Sequence, residues 1–180
     1  MHPPCQSRLI TLTARTAVAV AMLAVVSCGD DKHPKTYAVK GKVLVDGQPA
    51  KDCQVTLKRT GGPQLSIPAT PNAVTDEKGE FQLTSYVAND GAPEGEYVVV
   101  IEWKDRSGLA KTEFGGPDRL GGEYANVEKN KGLKGFVVQI GRQAEVLPPF
   151  ELTQSAQAKR KYEEAQKRPP SLSGPLGGDR

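Results

Sequence analysis

A chain of 180 residues with 37% hydrophobic and 25% charged residues is long enough to bury the core of one domain and too short for two of ordinary size. Its formal charge is only +3, and the tail beyond residue 153 is richer in Lys and Arg than in Asp and Glu, so the basic character sits at the end of the chain and a nucleic-acid surface is not expected.

In chain order, Arg8 and Arg15 precede or flank an unbroken apolar run from Ala17 to Val26, too short to span a bilayer but suited to the core of a secretory signal. It ends in "VVSCGD", where small Ser27 precedes Cys28, and this resembles the lipobox of bacterial lipoproteins. The resemblance implies removal of residues 1–27, acylation of Cys28 with chains such as palmitate, and residence outside the cytoplasm on the cell membrane or outer membrane. Cleavage of an ordinary secretory signal is the alternative. Either event removes Arg8 and Arg15 and no acid, which lowers the formal charge of +3 by two. Cys5 leaves with the signal, so with Cys28 acylated Cys53 stands alone and no intramolecular disulfide is expected. Residues 28–36 read as a polar tether.

The folded unit is expected over residues 37–153. In "YAVKGKVLVDG", Val39, Val43 and Val45 alternate with Lys40 and Lys42, the pattern of a strand with one buried face, and Asp46–Gly47 ends it. "CQVTLKR" repeats the alternation with Cys53, Val55 and Leu57 inward, so the two segments read as a hairpin or close neighbours. A Pro- and Gly-containing loop over residues 60–72 leads to short strands at 73–75 and 80–83. "GEYVVVIEW" is apolar on both faces and reads as a central strand, with Trp103 in phase with Tyr97, Val99 and Ile101 and hence core rather than an exposed platform. After a glycine-rich stretch, 105–132, "LKGFVVQIG" and "VLPPFEL" supply the last strands, Pro148 and Pro149 favouring an edge. About seven short strands spell an all-β sandwich. Residues 154–180 read as a short helix, with Glu163 and Lys167 four apart, or a solvated basic tail.

The acid-rich "AVTDEKGEFQL" does not fit a calcium loop. Counting from Asp76 puts Lys78 third and Val87 twelfth, whereas the loop needs oxygen ligands at alternating positions and a bidentate acid at the end. A tight turn is the better reading, with Asp76 bonding nearby amides and Gly79 at positive φ. In "NDGAPEGEY", Asp90, Glu94 and Glu96 read as a solvated rim. No metal or cofactor site is expected: soft ligands do not cluster, and residues 37–152 hold no histidine to serve as the base of a serine or cysteine hydrolase. Paired carboxylates cannot be placed together from spacing alone. Candidate recognition falls on the 105–132 stretch, where Phe114, Arg119 and Tyr124 are interleaved with Asp118 and Glu123 on a glycine-rich backbone; the plainer reading is an irregular edge strand at 112–114 followed by a solvated loop. Tyr86 and Tyr124 are the candidates for stacking on a glycan.

Taken together, "VKGKVLVDGQPAKDCQVTL", "TDEKGEFQL" and "PEGEYVVVIEW" resemble the carboxypeptidase regulatory-like domain, a transthyretin-like (prealbumin-like) sandwich. With the lipobox, "GPDRLGGEYAN" and "FEL", the likeness extends to the short single-domain lipoproteins of that family in planctomycete-type bacteria. The resemblance implies a non-catalytic interaction or structural module of the cell envelope, meeting an envelope protein or polysaccharide; a carbohydrate- or small-ligand-binding module is the alternative. These motifs are strand and turn signals, which specify fold more than task.

Overall fold

The structure is a computed structural model that describes residues 33–106 and 116–167, so Cys28 and Phe114 lie outside the described residues. All the described residues fall in the unit Asp31–Arg180. They are mostly β: β1 (Thr36–Tyr37), β2 (Val39–Val45), β3 (Gln48–Pro49), β4 (Gln54–Gly61), β5 (Asn72–Val74), β6 (Glu80–Gln82), β7 (Ala92–Pro93), β8 (Gly95–Glu102), α1 (Val127–Asn130), β9 (Val137–Ile140), β10 (Glu145–Val146), β11 (Phe150–Leu152) and α2 (Ala156–Lys167).

One sheet is organised around β2. Along one edge it pairs in parallel first with β10, Val146 opposite Lys40, and then with β11, Phe150 opposite Val43. The last segment thus advances four residues while β2 advances three, and the extra residue is accommodated at Pro148–Pro149. Prolines that cannot donate to a ladder suit this outer edge. Along the other edge β2 pairs antiparallel with β3 and β6. Asp46 and Gly47, both at positive φ (50° and 76°), form the two-residue turn into β3, matching the twist of a tight hairpin. The second sheet has the order β5-β4-β8-β9, and β1 pairs with β7 apart from both.

The expectation that β2 and β4 form a hairpin or lie as close neighbours is therefore corrected, since the two strands stand in different sheets. Two successive alternating segments satisfy a hairpin and a crossing between sheets equally well, and here β2 takes β3 as its hairpin partner while β4 joins β8. β8 lies between β4 and β9, as its near-continuous apolar run implies. The inward faces of both sheets share one core, including Val39, Val43, Val55, Leu57, Tyr97, Val99, Ile101, Phe136 and Phe150. Gly41 is inward and opposite Phe81; a Cβ there would sit 2.4 Å from the Phe81 ring, so the missing side chain is the space the ring fills. Tyr97 is fully buried with its hydroxyl satisfied, donating to the Pro93 carbonyl at 2.9 Å and accepting from Arg59 Nη1 at 2.8 Å. Cys53 is fully buried in the same core, and burial pushes its thiol up to about 12.

The acid-rich stretch turns a corner between β5 and β6, which belong to different sheets. Asp76 Oδ1 accepts the amides of Lys78 (2.8 Å) and Glu80 (2.9 Å), and Gly79 sits at φ 72°, where a Cβ would fall 2.5 Å from the Val43 carbonyl oxygen. Thr75, buried beside it, accepts the Cys53 amide and donates to the Ala50 carbonyl, tying the corner to both sheets.

Candidate functional site

The stretch between β8 and β9 holds the candidate recognition residues, and the described part of it, residues 116–136, is a packed segment rather than a solvated loop. Leaving β8, Lys104 bridges antiparallel to Asp118. Asp118 then acts as a staple: Oδ1 accepts the amides of Trp103 (2.9 Å) and Leu120 (3.0 Å), and Oδ2 that of Gly122 (2.8 Å). Leu120 is fully buried in the core. Beyond it the chain completes the edge of β8 that the short β9 leaves unpaired. The Val99 amide donates to the Phe136 carbonyl and the Ile101 amide to the Tyr124 carbonyl. The Val99 carbonyl would be an orphan in the interior; it accepts Nδ2 of Asn130 at 2.8 Å, whose second hydrogen goes to the Tyr124 carbonyl. Asn130 is fully buried at the end of α1, which Asn126 caps by accepting the Lys129 amide.

Of the two readings of the C-terminal segment, a short helix or a solvated tail, residues 156–167 form the helix, α2, and it docks on the segment before it. Ser155 caps the helix, accepting the Ala158 amide at 3.0 Å and donating to Glu123. Ala158 is fully buried against Gly121, where a Cβ would approach the Ala158 Cα to 2.8 Å. Further along, Tyr162 donates to Asp105 Oδ2 at 2.6 Å and Gln166 Nε2 to the same oxygen at 3.2 Å, while Arg119 Nη2 donates to Oδ1 at 3.1 Å. Asp105 is itself buried. Burial and the Asp105 carboxylate both hold the Tyr162 phenol above its ordinary range.

Arg119 and Tyr124 therefore lie on one packed segment with different surroundings. Arg119 lays its guanidinium over the Trp103 ring at 5.0 Å, pairs with Asp105, and keeps a buried Nε without an acceptor. Tyr124 packs against the core, stacked on Phe136 at 5.7 Å, its hydroxyl accepting the Thr153 amide at 3.1 Å. Tyr86 is elsewhere: its ring stacks on His33 at 4.8 Å, its hydroxyl donates to Ile67, and Asp90 gathers the amides of Ser85, Tyr86 and Val87. Among the described residues no ring contact joins Tyr86 to Tyr124. Trp103 is half-buried at the rim and donates Nε1–H to the Lys51 carbonyl. The acids of "NDGAPEGEY" are engaged: besides Asp90, Glu94 pairs with Arg142 at 2.8 Å and Glu96 accepts from Thr60.

The segment frames a cavity of about 350 Å³ lined by Pro49, Lys51, Asp52, Trp103, Lys104, Arg106 and Arg119. Four of those side chains are cationic and one is acidic. Of this site, sequence reasoning singled out Arg119 and missed Lys51, Lys104, Arg106, the buried Asp105 and Asn130. The only available signal was "KDR" at 104–106, charges placed immediately after a strand with two apolar faces. No group of three or more His, Cys, Asp or Glu side chains suited to a metal occurs among the described residues. No family model matches the chain, and no curated protein matches it.

Proposed function

We propose that the chain is a membrane-anchored, extracytoplasmic interaction module of the cell envelope, tethered through lipid on Cys28 and built as a transthyretin-like sandwich of the carboxypeptidase regulatory-like kind. The cysteine context "VVSCGD" and the strand motifs support the anchor and the family resemblance. The observation that carries the interaction role is the pole made by residues 103–106 and 116–124, where Asp118, Asn130 and α2 hydrogen-bond the segment that frames a cation-lined cavity. Long segments fixed to a scaffold and ending in charged side chains are the usual carriers of recognition. The carboxylates of Asp76, Asp90 and Asp118 each accept backbone amides, the work of turn builders rather than of acids and bases poised for reaction.

The reading is tested in cells. The native chain should fractionate with membranes and Cys28→Ala should be released; an N-terminal peptide of unmodified mass would sink the anchor. Crosslinking in intact cells should join the pole to an envelope component, and loss of that adduct on substituting Lys104 and Arg106 would assign the contact. A carbohydrate- or small-ligand-binding module is the second reading, and the larger groove on the β2 sheet, of about 660 Å³, favours it.

A further inference from the structure

We infer that the cavity at this pole is a site for a sugar unit bearing an oxyanion, a carboxylate or a phosphate, carried on an envelope polysaccharide; the inference rests on the reading of the chain as an envelope interaction module. The lining supplies the charge. Lys51, Lys104, Arg106 and Arg119 converge on one space of about 350 Å³, the lower end of small-ligand pockets. Lys51 pairs with Glu77 and Lys104 with Glu102 through partly or largely exposed side chains, and such pairs exchange partners at little cost. Arg106 has no ion pair among the described residues. Arg119 is held by Trp103 beneath and Asp105 beside it, and Asp105 divides its carboxylate among Arg119, Tyr162 and Gln166. A guanidinium fixed in this manner loses little side-chain freedom on meeting an oxyanion.

The lone acid of the lining narrows the class. Asp52 offers the cavity a carboxylate acceptor amid four cations, which suits a ligand with hydroxyl donors as well as negative charge. An acidic peptide such as tetra-aspartate would bring carboxylates for the cations but no hydroxyl donor for Asp52. Asp52 also sits at φ 61°, a conformation asparagine adopts readily, so its charge can be removed without disturbing the turn.

The test is calorimetric titration of the full chain with trigalacturonate, glucose 6-phosphate, inorganic phosphate and tetra-aspartate. One of the two sugar anions should bind with a Kd below about 1 mM, more tightly than inorganic phosphate or tetra-aspartate, and weaken as salt rises; which of the two wins identifies the oxyanion. The double variant Lys104→Gln, Arg106→Gln should weaken that binding about tenfold with the melting temperature unchanged. Asp52→Asn should weaken sugar-anion binding and strengthen phosphate binding, a reversal that a purely structural residue would not produce. The inference is overturned if neither sugar anion binds at about 10 mM, if tetra-aspartate binds as well, or if the double variant binds unchanged. Loss of the anchor or of the in-cell adduct with sugar binding intact would instead count against the envelope reading alone.

Discussion

Two concave regions of this protein differ in size and in chemistry. The groove on the β2 sheet is the larger, about 660 Å³, and its lining includes the aliphatic residues Val74, Val146, Leu147 and Pro149 with two cations, Lys40 and Lys42, and two acids, Asp76 and Glu80. Its charges balance. The pole cavity has about half that volume, yet four cations meet one acid in its lining, and its base is fastened by Asp118, Asn130 and α2. A groove between strands follows from a sheet with short edge strands; a pole held by buried polar side chains requires specific residues with specific partners. Preorganised charge, rather than volume, sets the pole apart from the groove.

Breaking the base of the pole should have the largest effect. Leu120→Ala removes a fully buried side chain and should destabilise the domain by about 3 kcal/mol in denaturant unfolding. Asn130→Ala leaves the Val99 carbonyl without its donor and takes one of two donors from the Tyr124 carbonyl, which keeps the Ile101 amide, and should cost about 2 kcal/mol. A loss below about 0.5 kcal/mol for both would show that the segment is an appendage. Tyr162→Phe removes one hydrogen bond to Asp105 and should cost about 1 kcal/mol while increasing amide exchange in α2 before that in β8. By contrast Val146→Thr, in the groove and 80% exposed, should change stability by less than about 0.5 kcal/mol.

The smallest expected effect is a pH dependence at Asp76, in the lining of the groove. The amides of Glu80 and Lys78 hold Asp76 below the ordinary carboxylate value of 3.8. A depressed folded-state value stabilises the protein above the unfolded value, and that stability is lost as pH falls through the folded one. Wild type should therefore lose stability as pH drops below about 3.8, and Asp76→Asn should flatten that slope slightly. Cys53 offers a check on the core beneath both regions: fully buried, with its thiol raised to about 12, it should react with a thiol reagent only at the rate of unfolding.

How far the sequence could be read follows from the range of the contacts. The corner at Asp76–Gly79 closes on partners within four residues, so its turn was legible without a fold. β8 was legible as an interior strand because its two apolar faces are a property of its own eight residues, and Cys53 followed from alternation. The assignment of β2 and β4 to different sheets was not, because pairing depends on what lies opposite. At the pole the decisive contacts span 14 to 61 residues: Arg119 to Asp105, Asn130 to Val99, Gln166 to Asp105. Glycines at 121 and 122 look like loop residues, yet Gly121 is small because Ala158 lies against it. A helix with one buried alanine and a single tyrosine contact carries too narrow an apolar stripe to announce that it docks.

Photo-crosslinking in intact cells from two positions separates the proposed contact at the pole from one at the groove. A photoreactive residue at Glu77, beside Lys51 at the rim of the pole, should yield a discrete adduct with an envelope polysaccharide that disappears in the Lys104→Gln, Arg106→Gln variant, while one at Val146 in the larger groove should yield none. An adduct from Val146 alone, or one from Glu77 that persists when both cations are gone, would contradict the proposed contact at the pole.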